Sequence, residues 1–580
     1  MDRLRYLLGL TLLLSYQQIV FAQKNNALAE LKTIDKNLNE SVFISTNTNS
    51  FLTGETLYYK IFCVDKTTNA PTKYTKVAYF ELIDNNKKPV VTHKLFLENG
   101  SGNGDFFIPT TLETGTYKII GYTNWMLSNN GAEEFFNTDI YIVNPYREKA
   151  VSTPDPVTDP QEIVLSSTTN DNISFDLKNK IFNNREQVEL KVNAGSDDFL
   201  KGNYMISVRK TDGFLAQNKI IFSDYQATHQ STSYSNIVNN SNLVLPELRG
   251  EIISGRITSA TEEIKNKQIG LSLVGKNYDA KISKTDEQGR FIFNIEKANP
   301  NPNIIVQVLE YNKESYSIEM DKQKEADLSN LKFPDLKFNP DSDKNITERL
   351  VSSQVENAYY NIKKDSLLSP ANFTPFYGSL SKEYKLDDFT RFPTMEETIT
   401  EVISGVVFRK NNQNYSLHVY DYDENYESSS QPLVVVDGLI LDDLNEFFTY
   451  NPKNIYKVNV VKGLYYYGSK SFNGVVAFTT KNGDYKTKLK GNFIITPELL
   501  RPQGKKQHFQ PDYSDNKNTR IPDYRHQLLW VPNADLSVSS IKFYTSDISG
   551  KFEVLLEGFS ASGKPVYIRE IIEVKKSNSN

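Results

Sequence analysis

The sequence predicts a mainly β protein, with several β-sandwich domains and one small α+β domain. Short runs of alternating apolar and polar residues recur along it, and turn residues separate them at roughly ten-residue spacing, as in sandwiches. The 580 residues include 34 tyrosines and 33 phenylalanines, which favour strands and large cores. In the segment 430–485, apolar runs alternate with turns and a short helical pattern, which predicts the α+β domain.

The N-terminal residues 1–22 are predicted to form a secretory signal peptide. Arg3 and Arg5 precede an apolar stretch over 7–20, and the small residue Ala22 stands at the expected cleavage point. Two glutamines interrupt the stretch, which is too short to span a bilayer comfortably, and no later stretch is as apolar. We therefore expect export and no transmembrane span.

Residues 41–147 are predicted to form the first β-sandwich, from runs such as FLTGETLYYKIFCVD and KVAYFELID. The patterns TLETGTYKIIGYTNWM and FFNTDIYIVNPY resemble macroglobulin-like domains of secreted bacterial proteins. Cys63 lacks the Gly-Cys-Gly-Glu-Gln context of a thioester, so the resemblance does not imply covalent protease trapping. As the chain's single cysteine, Cys63 cannot form an internal disulfide, and we expect a buried thiol.

Two further β-units are predicted over 172–240 and 520–575. The runs REQVELKVNA and YMISVRKTD mark the first of these units, which again resembles a macroglobulin-like domain. The second unit alternates in the same way and resembles the strands that close macroglobulin-like chains.

Residues 250–325 are predicted to form another small β-sandwich, with ISGRIT, KQIGLSLVG and KTDEQGRFIFNI as strands. Thr285, Asp286, Gly289 and Phe291 have the spacing Thr-Asp-x-x-Gly-x-Phe. The segment resembles the carboxypeptidase-regulatory-like domain, and this resemblance implies a turn that leads into an edge strand.

The segment 340–410 is predicted to be a partly helical connector. Apolar residues over 346–362 recur at three- and four-residue spacing, which predicts a helix with one apolar face. Thr394 and Glu397 have the spacing of a capping box at the start of a second helix. We interpret both apolar faces as core.

Within 430–485, the run Leu433–Val436 predicts a strand, and Asp437-Gly438 predicts a tight turn. A short helical piece, a second strand ending at Lys462-Gly463 and a third strand follow. The ordered motifs PLVVVDG, NPKNIYKVNVVKG and YGSKSFNGVVAFTTKNG resemble the plug domain of TonB-dependent outer-membrane receptors, especially the starch-utilisation type. In such receptors a carboxypeptidase-regulatory-like domain often precedes the plug.

In those receptors the same chain also supplies a barrel of about 22 strands, each of ~10 residues. The stretch 484–580 is too short for such a barrel, so we expect a plug-like module without its own pore. Reuse of the module as a plain structural domain stays open as an alternative.

The charges and motifs argue against several classes of function. The net charge is −5, with 66 basic residues interspersed among 71 acidic ones, so no nucleic-acid partner is expected. The histidines stand at no metal-ligand spacing, and the acidic segment 420–431 lacks the glycine and terminal glutamate of an EF-hand loop. We expect a protein that is not an enzyme, with no catalytic residue, metal or cofactor.

We therefore predict a non-catalytic periplasmic protein, associated with the inner face of the outer membrane, that closes or gates the periplasmic mouth of a protein-translocation pore. By resemblance, the partner is a large outer-membrane β-barrel protein, the type 9 secretion translocon. The predicted contact residues are large side chains of one short segment, because aromatic residues supply interface energy: Leu464, Tyr465, Tyr466, Tyr467 and Phe472. Core packing explains these residues equally well. An accessory binding or structural module of a nutrient-uptake system is the alternative function.

Overall fold

The computed structural model describes residues 38–128, 135–147, 170, 172–211, 219–229, 244–338, 342–368, 374–378, 381–412, 414–420, 431–514 and 520–576. The predicted signal peptide and the acidic residues of segment 420–431 lie outside them. The chain divides into two compact units. The first comprises Met1–Arg249, Lys324–Leu368 and Lys505–Asn580, and the second Gly250–Gln323 and Ser369–Gly504. The predicted mainly β fold is confirmed, with several sheets and a few short helices.

The elements of the N-terminal half are, in chain order, β1 (Glu40–Thr46), β2 (Ser50–Leu52), β3 (Thr56–Asp65), β4 (Val77–Ile83), β5 (Pro89–Phe96), β6 (Ser101–Phe107), β7 (Gly115–Tyr122), β8 (Phe136–Val143), β9 (Ile173–Leu177), β10 (Ile181–Asn183), β11 (Gln187–Ala194), α1 (Asp197–Leu200), β12 (Asn203–Lys210), α2 (Phe222–His229), β13 (Glu251–Thr258), β14 (Gln268–Leu273), β15 (Asp279–Lys284), β16 (Arg290–Ile295), β17 (Ile304–Val308) and β18 (Ser317–Met320).

The elements of the C-terminal half are α3 (Ser342–Ala358), β19 (Ser366–Leu367), β20 (Lys382–Lys385), α4 (Met395–Val402), β21 (Val406–Asn411), β22 (Asn414–Val419), β23 (Leu433–Val436), β24 (Leu439–Ile440), α5 (Asn445–Phe448), β25 (Ile455–Tyr467), β26 (Lys470–Thr480), β27 (Ile494–Ile495), β28 (Lys506–Gln507), β29 (Gln527–Ala534), β30 (Ile541–Tyr544), β31 (Gly550–Phe559) and β32 (Pro565–Lys575). Single turns of 3-10 helix connect some of these elements.

The first sandwich pairs the sheet β1-β3-β6 with the sheet β2-β8-β7-β4-β5. Cys63 is buried in it, as predicted. Helix α3 packs Ile346 and Leu350 against the Leu52 cluster of this sandwich. Its apolar face is narrower than predicted: Val351 is exposed, and Arg349 is buried in an ion pair of 2.5 Å with Glu55. The α3 face is therefore held by a buried charge pair as well as by apolar contact.

The predicted units 172–240 and 520–575 combine in a single sandwich, which we call the split sandwich. Its sheets are β10-β32-β31-β12-β29 and β30-β11-β9, so each sheet contains strands from both segments. The sequence did not show this pairing, because the alternation of a strand is the same whichever strand lies beside it. The predicted connector 340–410 is likewise divided, with α3 in the first unit and α4 in the second.

In the second unit, the third sandwich consists of the sheets β16-β13-β18 and β15-β14-β17-β27. The Asp286 carboxylate accepts the backbone N–H groups of Gln288 and Arg290, and Gly289 has a φ of 73°. This turn leads into β16, which lies at a sheet edge, as the regulatory-like resemblance implied.

The second unit also contains the sheet β20-β25-β26-β23-β24, which we call the hairpin sheet after its long β25–β26 hairpin. One face packs against α4, α5 and the β21–β22 hairpin. The other face packs against Tyr278, Ala280 and Ile282 of the third sandwich. The apolar runs of its strands are long because both faces of the sheet are covered.

Two local predictions for this region are confirmed, and one is wrong. Asp437 and Gly438 have φ values of 49° and 87°, as in a tight hairpin turn, and Thr394 forms a capping box with Glu397. The second strand does not end at Lys462-Gly463. A register shift between Val461 and Leu464 absorbs this dipeptide as a bulge, and β25 continues to Tyr467.

Candidate contact surface on the β25–β26 hairpin

The end of the β25–β26 hairpin carries all five residues predicted to contact a partner. Directly paired residues of an antiparallel hairpin share one face of the sheet, and successive pairs alternate between the faces. The pairs beyond the bulge are Leu464 with Asn473, Tyr465 with Phe472, Tyr466 with Ser471, and Tyr467 with Lys470. The predicted cluster is therefore divided between two faces.

On one face, Tyr465, Tyr467 and Phe472 pack within the second unit. Phe472 is 7% exposed, and the two tyrosine rings stack beside it with centroids 6.0 Å apart. The Tyr467 hydroxyl donates to the carbonyl of Ala280, and the Tyr465 hydroxyl donates to that of Phe376 at 3.3 Å. Burial raises the pKa of both phenols, which keeps them neutral donors. These three side chains therefore have a packing role within the second unit.

On the other face, Leu464 and Tyr466 project into solvent. Leu464 is 59% exposed and Tyr466 is 74% exposed. Their paired neighbours on β26 are polar: Ser471 is exposed, and the Asn473 amide donates to the Val419 carbonyl at 3.1 Å. Contact with a partner stays a prediction, and Leu464 and Tyr466 are the members of the cluster that are accessible for it. We call these two residues the exposed pair.

The tip of the hairpin is fixed against the third sandwich. Gly468 has a φ of 59°, and a Cβ at this position would overlap the carbonyl oxygen of Ile282. The Ser469 hydroxyl donates to the side-chain oxygen of Gln268 at 2.7 Å. The backbone approaches closely because position 468 lacks a side chain, and the exposed pair is therefore presented on a fixed support.

The base of the hairpin is fixed through Asp437, which is fully buried. Its carboxylate accepts the backbone N–H of Thr480 at 2.8 Å, the Thr480 hydroxyl at 2.6 Å and the backbone N–H of Tyr485 at 3.1 Å. Burial raises the pKa of this carboxyl group, although each hydrogen bond opposes the shift. From the sequence, Asp437 is predicted only as part of a tight turn. No local pattern gives the anchoring role, since Thr480 lies 43 residues further along the chain.

The described part of the chain shows no group of three or more His, Cys, Asp or Glu side chains placed to hold a metal ion. His93 is buried against Tyr59, and His508 pairs with Asp365 at 2.8 Å. None of the helices in the described ranges is long and apolar enough to cross a membrane.

No family model matches the chain, and no curated protein matches it. Among solved structures, Salmonella α2-macroglobulin reacted with methylamine has a TM-score of 0.22 and 8% identity, over 93% of this chain and 40% of that one. Native Escherichia coli α2-macroglobulin has a TM-score of 0.23 and 9% identity, over 93% and 40% of the two chains. A β-glucosidase from Listeria innocua in complex with glucose has a TM-score of 0.12 and 16% identity, over 18% and 16%.

The chain thus spans 40% of the length of the first of these structures. The similarity to the bacterial macroglobulins is distant, and no function is inferred from it.

Proposed function

We propose that the protein is a non-catalytic periplasmic plug. It docks against a large outer-membrane β-barrel formed by another chain and closes or gates the periplasmic mouth of that protein-translocation pore. By resemblance, the pore is the type 9 secretion translocon. The observation that carries the proposal is the exposed pair, Leu464 and Tyr466, at the end of a hairpin anchored at its tip and its base.

The exposed pair has the chemistry of an interface anchor. A tyrosine combines a large apolar ring with a polar hydroxyl, and such residues carry much of the binding energy of protein interfaces. The support of the pair is held by Ser469 and Asp437, so docking orders little additional backbone. Binding to a preorganised surface costs less conformational entropy than binding to a mobile loop.

The connection with a barrel rests on the plug resemblance, and the fold supports that resemblance in one respect. Its three ordered motifs form parts of one sheet: the first contributes β23, the second contributes β25 and the third contributes β26. The third sandwich, which carries the regulatory-like motif, packs on the same sheet. The three plug-like motifs and the third sandwich therefore belong to one packed module.

The test is purification of the tagged protein from detergent-solubilised outer membranes, followed by mass spectrometry of the proteins recovered with it. The variant Leu464→Ser with Tyr466→Ser removes the exposed pair. A matched control, Ile292→Ser with Tyr311→Ser, removes two apolar side chains of the same unit that are 43% and 103% exposed.

We expect a large β-barrel protein in near-equal amount with the wild-type and control proteins, and its loss with the exposed-pair variant. Recovery of the wild-type protein alone would contradict the proposal. So would recovery with a nutrient receptor and its lipoprotein, which would favour the uptake function instead.

A further inference from the structure

A lysine lies fully buried between two sandwiches of the first unit. Lys60 belongs to β3 of the first sandwich, and its ammonium group reaches β12 of the split sandwich. Nζ donates to the side-chain oxygen of Asn203 at 2.5 Å and to the backbone carbonyl of Tyr204 at 3.1 Å. In the described part of the chain, no carboxylate forms an ion pair with Lys60. Both hydrogen-bond acceptors are neutral, so no opposite charge offsets the burial of this amine.

Such an environment favours the neutral amine, which is the nucleophilic form. Burial lowers the pKa of Lys60 well below its usual value, because the charged form loses its hydration. The ring centroid of Phe62 lies 4.8 Å from Nζ. A desolvated lysine amine of this kind is the type that enzymes use to attack carbonyl carbons.

The amide of Asn203 is held within reach of this amine. A separation of 2.5 Å between Nζ and Oδ1 places Nζ no more than about 3.7 Å from Cγ, since the C=O bond is ~1.2 Å long. This upper bound lies just above the separation of about 3 to 3.5 Å at which reacting atoms stand in near-attack geometries. The amide nitrogen donates to the carbonyl of Asn99 at 3.1 Å and to the Ser101 hydroxyl at 2.9 Å, which fixes the plane of the amide.

We propose that Lys60 and Asn203 form an intramolecular isopeptide bond that joins the first sandwich to the split sandwich. In this step, Nζ attacks Cγ of Asn203, the Nζ–Cγ bond forms, and the Cγ–Nδ2 bond breaks. The lysine nitrogen gives up one proton to Nδ2, and one molecule of ammonia leaves. No oxidant is required and no water is consumed. The Ser101 hydroxyl accepts a hydrogen bond from Nδ2, the nitrogen that leaves as ammonia.

A buried carboxyl group also lies at this interface between the sheets. Glu557 is 2% exposed, and it pairs with Met205, two residues from Asn203 on the same face of β12. One oxygen of Glu557 accepts the hydroxyl of Ser45, which pairs directly with Lys60 across β1 and β3. Its other oxygen has no hydrogen-bond partner among the described atoms. The oxygen that accepts Ser45 also pairs with the Lys219 ammonium group at 2.9 Å, so the charge of this carboxylate is matched by Lys219 and leaves Lys60 without an ionic partner.

The test is mass spectrometry of the full-length wild-type protein after denaturation and protease digestion. We expect one branched peptide that contains both Lys60 and Asn203 and is lighter than the sum of its parts by one ammonia molecule. Mapping to these residues separates the bond from ammonia loss elsewhere, for example by cyclisation of a terminal glutamine. Recovery of Lys60 and Asn203 only in separate, unmodified peptides would overturn the proposal.

Denaturing gel electrophoresis gives a second readout that does not depend on folding of a variant. The bond closes a loop between residues 143 positions apart, so the wild-type chain should migrate faster than Lys60→Arg and Asn203→Ala chains, which cannot form it. Identical migration of the three denatured chains would count against the bond.

Discussion

The carboxylate of Asp437 binds both the backbone N–H and the hydroxyl of Thr480, at 2.8 and 2.6 Å. Asp437 lies in the turn between β23 and β24, and Thr480 is the last residue of β26. The carbonyl of Asp437 also accepts the N–H of Gly275 in the third sandwich, at 3.0 Å. A single buried residue therefore links the turn, the hairpin and the neighbouring sandwich that together support the exposed pair.

Replacement of this anchor should weaken the hairpin sheet. Asparagine adopts positive φ readily, so Asp437→Asn should retain the turn. Its amide NH₂ cannot accept the donors that the second carboxylate oxygen accepts, and an unsatisfied buried donor costs about 1 to 3 kcal/mol. We expect backbone hydrogen exchange of β23 and β26 to accelerate by the factor that corresponds to this loss of free energy. Asp484→Asn, at an exposed neighbouring position, is the control and should leave exchange unchanged. Equal protection in the two variants would contradict the anchoring role.

Gly438 should be needed for the space around it as well as for its backbone conformation. Gly438 and Gly378 both have positive φ, at 87° and 63°. A Cβ at Gly438 would overlap Tyr278, whereas a Cβ at Gly378 would meet nothing within 4 Å. Alanine at either site carries the left-handed penalty of about 1 to 2 kcal/mol, and only Gly438→Ala adds a clash. Thermal unfolding should show the larger loss for Gly438→Ala. The same loss in both variants would mean that the contact with Tyr278 is unimportant.

The two faces of the hairpin should respond differently to truncation. Phe472 is buried in a core cluster, so Phe472→Ala should lower the free energy of unfolding by about 3 to 5 kcal/mol. Tyr466 is exposed, so Tyr466→Ala should change it by no more than about 0.5 kcal/mol. Urea unfolding, monitored through the hydrogen exchange of β25 and β26, measures both changes in the free energy of unfolding. A large loss for Tyr466→Ala would show that its ring has a packing role that its exposure does not indicate.

The first sandwich should lose stability in mild acid because of His93. Burial lowers the pKa of His93 from 6.5 to about 4, Asp105 opposes the shift and Lys506 adds to it. Between these values the unfolded state binds a proton that the folded state does not, so stability falls as the pH drops from 6.5 towards 4. The loss is at most about 3 kcal/mol.

His93→Gln should show a smaller loss over the same pH interval. Fluorescence of the buried Trp125, measured in both proteins with Trp530 replaced by phenylalanine, reports unfolding of this sandwich. Parallel pH profiles for the two proteins would exclude His93 as the cause.

Sequence reasoning succeeded where the interacting groups are close together in the chain. The Asp437-Gly438 turn and the Thr394–Glu397 capping box are settled by neighbours within a few residues. The turn at Asp286 in the third sandwich belongs to the same class, since its donors, Gln288 and Arg290, follow the acceptor by two and four residues.

Sequence reasoning failed where distant segments decide the environment. The units 172–240 and 520–575 share their sheets, which no local alternation indicates. The face on which Tyr465 and Tyr466 lie depends on the bulge at Gly463 and on the third sandwich packed against one side. Burial of Lys60 was equally hidden, because a single lysine in an apolar strand commonly extends its ammonium group into water.

We propose that the exposed pair helps this protein to seal an outer-membrane pore. The most direct measurement is outer-membrane permeability to a large hydrophilic antibiotic, in cells that produce equal amounts of the wild-type protein, the Leu464→Ser/Tyr466→Ser variant or the Ile292→Ser/Tyr311→Ser control. We expect that only cells with the exposed-pair variant become permeable to the antibiotic and sensitive to it. Unchanged permeability in those cells, with the folded variant present at the wild-type level, would contradict it.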